Sequence, residues 1–264
     1  AFSHDGRLVA EAGDGPFTAV WSVRTRKLVR LLGPGPAGGY SAVAFSPDGR
    51  LAATAGTEGK LRVYDLRTGG LVGSQQRPHH QTLQDVDFAP DGKLLAAAGL
   101  GPDFIVWDVR RERLVRTIDH GPGILTLRFS PDGTQIATGD YSGQVDFYVA
   151  ATGHKVGRTL GGQNGPVLSV AYVRGGTQLV TTSGDGDLRL WDLATGKLVG
   201  SPFHAADVWG WGTSFPDGRR AVTAFSDGTG VVWNVDPAAW KSHACLVAHR
   251  NLTRLPTGEP VDHR

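Results

Sequence analysis

A five-residue phrase that ends in Asp-Gly, or in Gly-Gly in one copy, recurs along this chain at nearly constant spacing. Six copies, of which the last two are weaker, begin at Phe2, Phe45, Phe88, Phe129, Tyr172 and Ser214. The first residues of successive copies are 43, 43, 41, 43 and 42 positions apart. Self-similarity at a fixed period of this length is typical of propellers and solenoid arrays. The spacing therefore predicts one repeat domain, of a class that mostly binds other molecules.

The charge of the chain is almost balanced, with 27 basic and 25 acidic side chains and a formal net charge of +2. Because no run of like charges occurs, we expect no contact with nucleic acid or with a membrane surface. No apolar stretch approaches the roughly 18 residues that a membrane span needs. The composition therefore predicts a soluble domain.

Cys245 is the single cysteine, which excludes an internal disulfide and a multi-cysteine zinc site. This cysteine usage fits a reducing compartment, so we expect a cytoplasmic protein. The chain begins at Ala1, inside the repeated phrase, and contains no methionine. We therefore expect it to be a piece of a longer protein.

Each unit contains four short segments rich in β-branched and aromatic residues, separated by Gly, Asp, Pro and Asn. In the clearest unit the segments lie at 167–172, 178–182, 188–193 and 197–200. This pattern predicts four antiparallel strands. In Ser-Pro-Asp-Gly, Pro presets φ, Asp bonds its own backbone and Gly takes the left-handed conformation. We interpret the phrase as the first hairpin turn, not as a binding site.

A four-stranded sheet with apolar residues on both faces cannot bury them alone. Stacking such sheets face to face, about 10 Å apart, buries both faces. The pattern leaves a propeller and a sandwich open, whereas a β-solenoid is disfavoured because its repeats are shorter.

The third segment of each unit carries a second recurring pattern. Leu190-Trp191-Asp192 and Val106-Trp107-Asp108, with variants around Tyr64, Trp21 and Trp233, resemble the signature of the WD40-repeat propellers. The resemblance implies an all-β WD40 β-propeller over 1–235 with six recognisable blades, at 1–39, 40–82, 83–123, 124–166, 167–206 and 207–235. The first and last blades are incomplete, so we expect an intact ring of seven or more blades.

The family resemblance also implies structural positions, including a hydrogen-bonded tetrad of His, Ser or Thr, Asp and Trp. Ser183, Asp185 and Trp191 fit it, while Gln163 stands where the His belongs. No unit keeps the whole tetrad, so stacking of the sheets must supply more of the stability. The predicted structural positions are Trp21, Tyr64, Asp65, Trp107, Asp108, Tyr148, Ser183, Asp185, Trp191, Asp192, Asp227 and Trp233.

The last segment, 236–264, departs from the repeat. Asp236-Pro237 is a typical helix start, and we expect a short helix over about 237–250, followed by a tail. The residues from Trp240 to Thr253 resemble the ending of WD-repeat regions in bacterial, especially actinobacterial, STAND-type NTPase signalling proteins. The resemblance implies a scaffold or sensor module whose partners are other proteins or an upstream NTPase or effector domain of the same chain.

Catalytic and cofactor motifs are missing from the sequence. It contains no complete phosphate-binding loop and no Gly-x-Ser-x-Gly elbow, so we expect a non-catalytic chain without cofactor or metal. The alternative is a hydrolase-like propeller enzyme with a site in the central channel, since such sites gather residues from separate blades.

Candidate partner-binding residues lie in the loops between units and in the last inner strand. Trp209 and Trp211 alternate with glycines and project to one side, and tryptophan is a preferred interface residue. The candidates are Tyr40, Arg77, His79, His80, His120, Gln163, Asn164, His204, Trp209 and Trp211.

Overall fold

The computed structural model describes residues 1–35, 38–76, 81–204, 210–214, 219–226 and 228–236. These residues form six antiparallel β-sheets, in which each strand pairs with its neighbours. The predicted all-β fold class is therefore confirmed. The predicted helix at 237–250 and the tail lie outside the described residues.

The first three sheets follow one another along the chain. Sheet 1 consists of β1 (Leu8–Glu11), β2 (Thr18–Ser22) and β3 (Leu28–Leu32). Sheet 2 consists of β4 (Tyr40–Phe45), β5 (Leu51–Gly56), β6 (Lys60–Asp65) and β7 (Leu71–Gln76). Sheet 3 consists of β8 (Leu83–Phe88), β9 (Leu94–Gly99), β10 (Asp103–Asp108) and β11 (Arg113–Asp119).

The remaining three sheets repeat the arrangement with small variations. Sheet 4 consists of β12 (Ile124–Phe129), β13 (Gln135–Asp140), β14 (Val145–Val149) and β15 (Lys155–Leu160). Sheet 5 consists of β16 (Val167–Val173), β17 (Gln178–Ser183), β18 (Asp187–Asp192) and the short β19 (Lys197–Leu198) and β20 (Phe203–His204), with a 3₁₀ turn at Arg174–Gly176. Sheet 6 consists of β21 (Gly210–Ser214), β22 (Arg220–Phe225) and β23 (Gly230–Asn234).

The recurring Asp-Gly phrase is the turn between the first two strands of a sheet. In sheet 2 the amide of Gly49 donates to the carbonyl of Ser46, and Gly49 has φ of +68°. The Ser46 hydroxyl donates to Asp48 over 2.6 Å, and this bond lowers the pKa of that carboxyl below its usual value. A β-carbon would be strained at such a φ, which explains the glycine. The interpretation of the phrase as a turn agrees with this geometry.

The hydrophobic core lies between consecutive sheets rather than inside any one of them. Sheets 2 and 3 share a cluster that includes Val63, Val86 and Trp107, and the other neighbouring pairs share similar clusters. Each sheet thus depends on its neighbours to bury its two faces, as the apolar pattern of the strands requires.

The alternating strand directions divide the turns between two faces. The turns that join strands one to two and three to four lie at one end, which we call the hairpin face. There the amides of Val23, Leu66 and Val109 donate to the carbonyls of Arg7, Arg50 and Lys93 over 2.8, 2.8 and 2.9 Å. The turns that join strands two to three and the connections between sheets lie at the other end, which we call the loop face.

In the described ranges, no helix is long and apolar enough to cross a bilayer.

Candidate interaction surface

Backbone hydrogen bonds join the two kinds of segment that form the loop face. In sheets 3, 4 and 5 the turn between strands two and three donates to the connection that precedes the same sheet. These bonds run from Leu100 N to Thr82 O at 3.0 Å, from Tyr141 N to Gly123 O at 3.2 Å and from Gly184 N to Pro166 O at 2.9 Å. In each of these three sheets, the turn and the preceding connection are therefore held together by the backbone.

Two residues with large exposed side chains have backbones that meet at Gly123 on this surface. Leu100 and Tyr141 are 45% and 49% exposed, although neither was among the sequence candidates. Both flank Gly123: a β-carbon there would lie 3.1 Å from the Leu100 carbonyl, and the Gly123 carbonyl accepts from Tyr141. The sequence signal for both residues was their position directly after the second strand of a sheet, in a turn that belongs to the loop face.

Tyr40, a predicted contact residue, is buried at the start of β4. Its hydroxyl lies 3.0 Å from the hydroxyl of Tyr64, and the Arg62 guanidinium lies over its ring at 5.9 Å. Burial and the Tyr40 hydroxyl raise the pKa of Tyr64. Tyr40 thus lies under the loop face and supports it from below.

His120 lies in the connection between sheets 3 and 4, and its side chain is only 1% exposed. Its Nδ1 donates to the carbonyl of Pro122 over 3.0 Å, and its Nε2 lies 3.6 Å from Asp146. Asp146 also accepts from Lys155 at 2.7 Å and from Thr159 at 2.6 Å. The imidazole therefore holds this connection against sheet 4 instead of facing outward.

The connection between sheets 4 and 5 presents Asn164 but not Gln163. Gln163 is 8% exposed, whereas Asn164 is exposed and its backbone N–H donates to Asp185 over 3.0 Å. At the end of sheet 5, the exposed His204 lies 2.8 Å from Asp187. Of these predicted contact residues, the structure leaves Asn164 and His204 accessible.

A buried arginine organises the charges next to these two residues. Arg189 bonds Ser183 and Asp185 through separate nitrogens at 2.8 Å and lies 2.9 Å from Asp187. Burial alone would raise the pKa of Asp185, but the bonds from Arg189, Ser183 and two backbone amides lower it to about 2. The cluster is a fully paired ion network, which favours rigidity over chemical reactivity.

The hydrogen bonds of the signature tryptophans differ from the expected tetrad. Trp191 Nε1 donates to Thr181 over 3.0 Å, whereas Ser183 is bonded to Arg189 and Asp185. In sheet 6, Trp233 likewise donates to a threonine ten residues before it, Thr223. The spacing of ten residues was the signal in the sequence, and it identifies Thr181, not Ser183, as the acceptor.

The aspartates that follow these aromatic residues have another role. Asp65, Asp108 and Asp192 each accept from the backbone amide three residues later, at 2.7, 2.8 and 2.8 Å. They therefore hold the turn that joins strands three and four. Trp21 is 37% exposed on sheet 1, while Tyr148 is buried beside Phe104 and His120.

Other predicted residues lie outside the described part of the chain. These are Arg77, His79, His80, Trp209 and Asp227. The backbone of Trp211 lies in β21, but its side chain is outside the described residues. Among the described residues, no group of three or more His, Cys, Asp or Glu side chains could hold a metal ion.

A cavity of about 270 Å³ lies where the first strands of sheets 2 to 5 converge. Its polar lining includes Asp85 and Arg128, which form an ion pair at 2.6 Å. Asp85 also accepts from the amide of Leu127 at 3.0 Å, and Asp87 accepts from Phe129 at 2.8 Å. These carboxylates connect β8 to β12. Burial raises the pKa of Asp87 to about 6, against the opposing effect of Arg128.

Comparison with known proteins agrees with the repeated sheets. The family model "WD domain, G-beta repeat" matches residues 27–65, 112–148 and 154–192. WD repeat-containing protein 1 of Xenopus tropicalis is 38% identical over 89 residues, which are 33% of this chain and 14% of that protein. A guanine nucleotide-binding protein subunit beta of Nicotiana tabacum is 33% identical over 124 residues, 42% of this chain and 33% of that protein. The chain thus spans a third or less of these curated relatives.

The matched residues cover the aromatic third strands of sheets 2, 4 and 5, where Tyr64, Tyr148 and Trp191 are buried between sheets. The three matched segments are therefore WD40 repeats, and the antiparallel sheets that contain them agree with this assignment.

Proposed function

We propose that this chain is a non-catalytic interaction module that binds partner proteins through its loop face. The observation that carries the proposal is the exposed pair Leu100 and Tyr141 on either side of Gly123. Exposed aromatic and aliphatic side chains on a fixed backbone are good anchors, because little conformational entropy is lost when they bind. Asn164 and His204 extend the surface with polar groups.

The rigidity of the loop face supports the same function. Buried polar clusters lie directly beneath it, around His120 and Asp146 in sheet 4 and around Arg189 in sheet 5. A surface held in this way presents its side chains in one arrangement, which improves affinity without large contact area. The WD40-repeat relatives agree with a scaffold role.

We place the module in a larger bacterial signalling protein of the cytoplasm, with an upstream NTPase or effector domain. The resemblance of the tail from Trp240 to Thr253 supports this context. Binding of a partner at the loop face would bias the neighbouring domain between two states, because a ligand shifts an equilibrium by its difference in affinity.

The test starts from a partner captured from the source cells, which is then purified. Its affinity for the wild-type chain is compared with that for the double variant Leu100→Ala/Tyr141→Ala. We expect a loss of tenfold or more, since two anchors of about 1 kcal/mol or more are removed. The matched control is Thr134→Ala/Thr177→Ala on the hairpin face. Equal affinity of both double variants would refute the proposed surface.

A hydrolase-like enzyme with a site in the central cavity is the second candidate. One observation favours it: Asp87 lies on β8 two residues after the cavity-lining Asp85, and a carboxyl group with its pKa raised to about 6 is suited to proton transfer near neutral pH. A screen of ester, phosphate and glycoside substrates tests it. Turnover that disappears in Asp87→Asn, while the fold is retained, would support the enzyme and contradict the module.

A further inference from the structure

The hairpin face carries basic side chains at equivalent positions of the first three sheets. Arg24, Arg67 and Arg110 occupy the same place in the turn between strands three and four, 43 residues apart in each step. The end of the first turn carries a second basic residue in each of these sheets. This second row consists of Arg7, Arg50 and Lys93.

The two rows are neighbours in the structure. In each of these sheets, the backbone carbonyl of the second-row residue accepts from the amide that immediately precedes the first-row arginine, at 2.8 to 2.9 Å. All six residues of the two rows are exposed. We call the surface formed by Arg7, Arg24, Arg50, Arg67, Lys93 and Arg110 the basic sector.

The basic sector ends abruptly at sheet 4. The positions equivalent to the first row are Ala151 and Ala194 in sheets 4 and 5, and those equivalent to the second row are Thr134 and Thr177. All four are exposed. The basic residues are therefore not a general requirement of these turns, because the same turns form without them.

The two rows differ in their ion pairs: the second-row Arg7 and Lys93 pair with Asp5 and Asp91 of their own turns, at 3.6 and 3.0 Å. In the described part of the chain, Arg24, Arg67 and Arg110 form no salt bridge. The nearby aspartates are occupied by the turns themselves: Asp65 accepts from Thr68, and Asp108 accepts from the amide and side chain of Arg111. The guanidinium groups thus keep their donors for a partner.

The geometry of the sector is held by a contact between sheets. Arg30 on β3 donates to the carbonyl of Leu66 at 3.1 Å and also to the carbonyl of Arg67. The turn that carries Arg67 is therefore attached to the outer strand of sheet 1. Charges in a fixed arrangement bind with a smaller loss of entropy.

We propose that the basic sector binds an acidic segment of a partner protein. Stacked sheets place successive arginines about 10 Å or more apart, which is the length of about three extended residues. An extended segment with separated Asp or Glu residues matches this spacing. The phosphates of duplex nucleic acid, one per roughly 1.7 Å of helix axis, are spaced far more closely than these arginines.

The probe is a fluorescein-labelled 15-residue peptide of Gly and Ser with Glu at every third position. Its affinity for the whole chain is measured by fluorescence anisotropy at low and at high ionic strength. We expect the triple variant Arg24→Ala/Arg67→Ala/Arg110→Ala to bind about tenfold more weakly at low salt, since each exposed ion pair contributes modestly. The variant Arg24→Lys/Arg67→Lys/Arg110→Lys should lose less affinity for the peptide, because it keeps the three positive charges.

The repeat supplies two matched comparisons. Ala151→Arg/Ala194→Arg extends the first row to sheets 4 and 5, so we expect tighter binding of the peptide. Thr134→Ala/Thr177→Ala changes the same two sheets without charge and should bind like the wild type. Circular dichroism checks that each exposed substitution leaves the fold intact.

Two results would overturn the proposal. One is unchanged affinity in the alanine triple variant. The other is that a 20-nucleotide DNA or phosphatidylserine vesicles bind more tightly than the peptide does and lose this affinity in the alanine triple variant. Such a result would assign the sector to another class of partner. Leu100→Ala/Tyr141→Ala on the loop face should leave peptide binding unchanged, so this test and that of the proposed function can fail independently.

Discussion

Single hydrogen bonds decide how each signature aromatic residue sits between its sheets. Trp191 and Trp233 each donate to a threonine ten residues earlier, whereas Ala97 occupies that position relative to Trp107. Accordingly, Trp107 Nε1 is buried without a hydrogen-bond partner in the described structure. Packing therefore holds Trp107, while packing and a hydrogen bond together hold Trp191.

The first prediction concerns Thr181→Val, which keeps the shape of the side chain and removes the acceptor. The buried indole N–H of Trp191 then has no partner, so we expect unfolding free energy to fall by about 1–2 kcal/mol. Urea denaturation measures the change. Thr223→Val, whose partner Trp233 is only partly buried, should cost less. An equal or larger loss there would contradict the role of burial.

The second prediction concerns the pH dependence of stability at Asp87. The folded pKa of about 6 lies above the ordinary value of 3.8 for this side chain, so the native state binds the proton more tightly than the unfolded state does. Stability from this group is present below about pH 4 and is lost as pH rises through 6.

Asp87→Asn removes this titration and can still accept from Phe129. We expect the variant to be more stable than wild type by about 1–3 kcal/mol at pH 7, because a raised pKa means that folding disfavours the charged carboxylate there. The difference should vanish near pH 4. Denaturant titrations at both pH values measure it, and a difference independent of pH would refute the assignment.

At the scale of strands, one position on the outermost strand connects each of sheets 1 to 4 to the sheet that follows it. Arg30, Arg116 and Arg158 donate to backbone carbonyls in the turn between strands three and four of the following sheet. In sheet 2 the equivalent residue is Gly73, where the Trp107 ring occupies the space: a β-carbon would lie 2.8 Å from it. Two kinds of contact thus connect neighbouring sheets at this position. One is an arginine that donates to the following sheet, and the other is a glycine against which a tryptophan of the following sheet packs.

The third prediction tests the arginine form of this junction. Arg116 Nε donates to the Ala151 carbonyl over 3.0 Å. Arg116→Ala should lower the unfolding free energy by about 1 kcal/mol, the value of a partly exposed hydrogen bond. Arg113→Ala on the same strand has no such bond and serves as the control. Equal effects of the two substitutions on urea midpoints would show that the bond contributes nothing.

The fourth prediction tests the tryptophan form. Gly73→Ala forces a methyl group against the buried ring of Trp107, so we expect a loss of about 1–3 kcal/mol from overpacking. Gly13→Ala is the matched control, because a β-carbon there meets nothing within 4 Å. Thermal melting of both variants measures the difference. A neutral Gly73→Ala would mean that the ring moves freely.

Over the whole molecule, the sheets depend on one another because each core cluster belongs to two of them. The cluster between sheets 2 and 3 includes the 1% exposed Trp107 together with Val63 and Val86. Damage to one sheet is therefore expected to reach its neighbour, as in other repeat proteins with interfaces between adjacent units.

The fifth prediction is that Trp107→Ala weakens two sheets at once. Loss of a buried tryptophan costs about 3–5 kcal/mol. Native-state hydrogen exchange should show faster exchange in β6 of sheet 2 as well as in β10 of sheet 3. Trp21→Ala, at a site 37% exposed, should have a smaller effect. Faster exchange confined to sheet 3 would contradict the shared core.

The strands and turns were predictable because their causes are local. Alternation of side chains and the chemistry of Pro, Asp and Gly operate within a few residues, so the repeated phrase identified the first turn of each sheet. The burial of Tyr40, His120 and Gln163 was not predictable, because their surroundings come from other strands and, for His120, from the following sheet. For the acceptor of Trp191, the regular spacing of ten residues was available and pointed to Thr181.

By itself, then, the sequence determined the repeat, the all-β strands and the positions of the turns. The tertiary structure alone decided which polar residues are buried and which charges meet. Arg24, Arg67 and Arg110 are dispersed along the chain and form no run of like charge, so composition predicted no charged surface. Stacked sheets bring residues about 43 positions apart to one face. Packing between distant segments, which no local pattern encodes, assembles both surfaces of this protein.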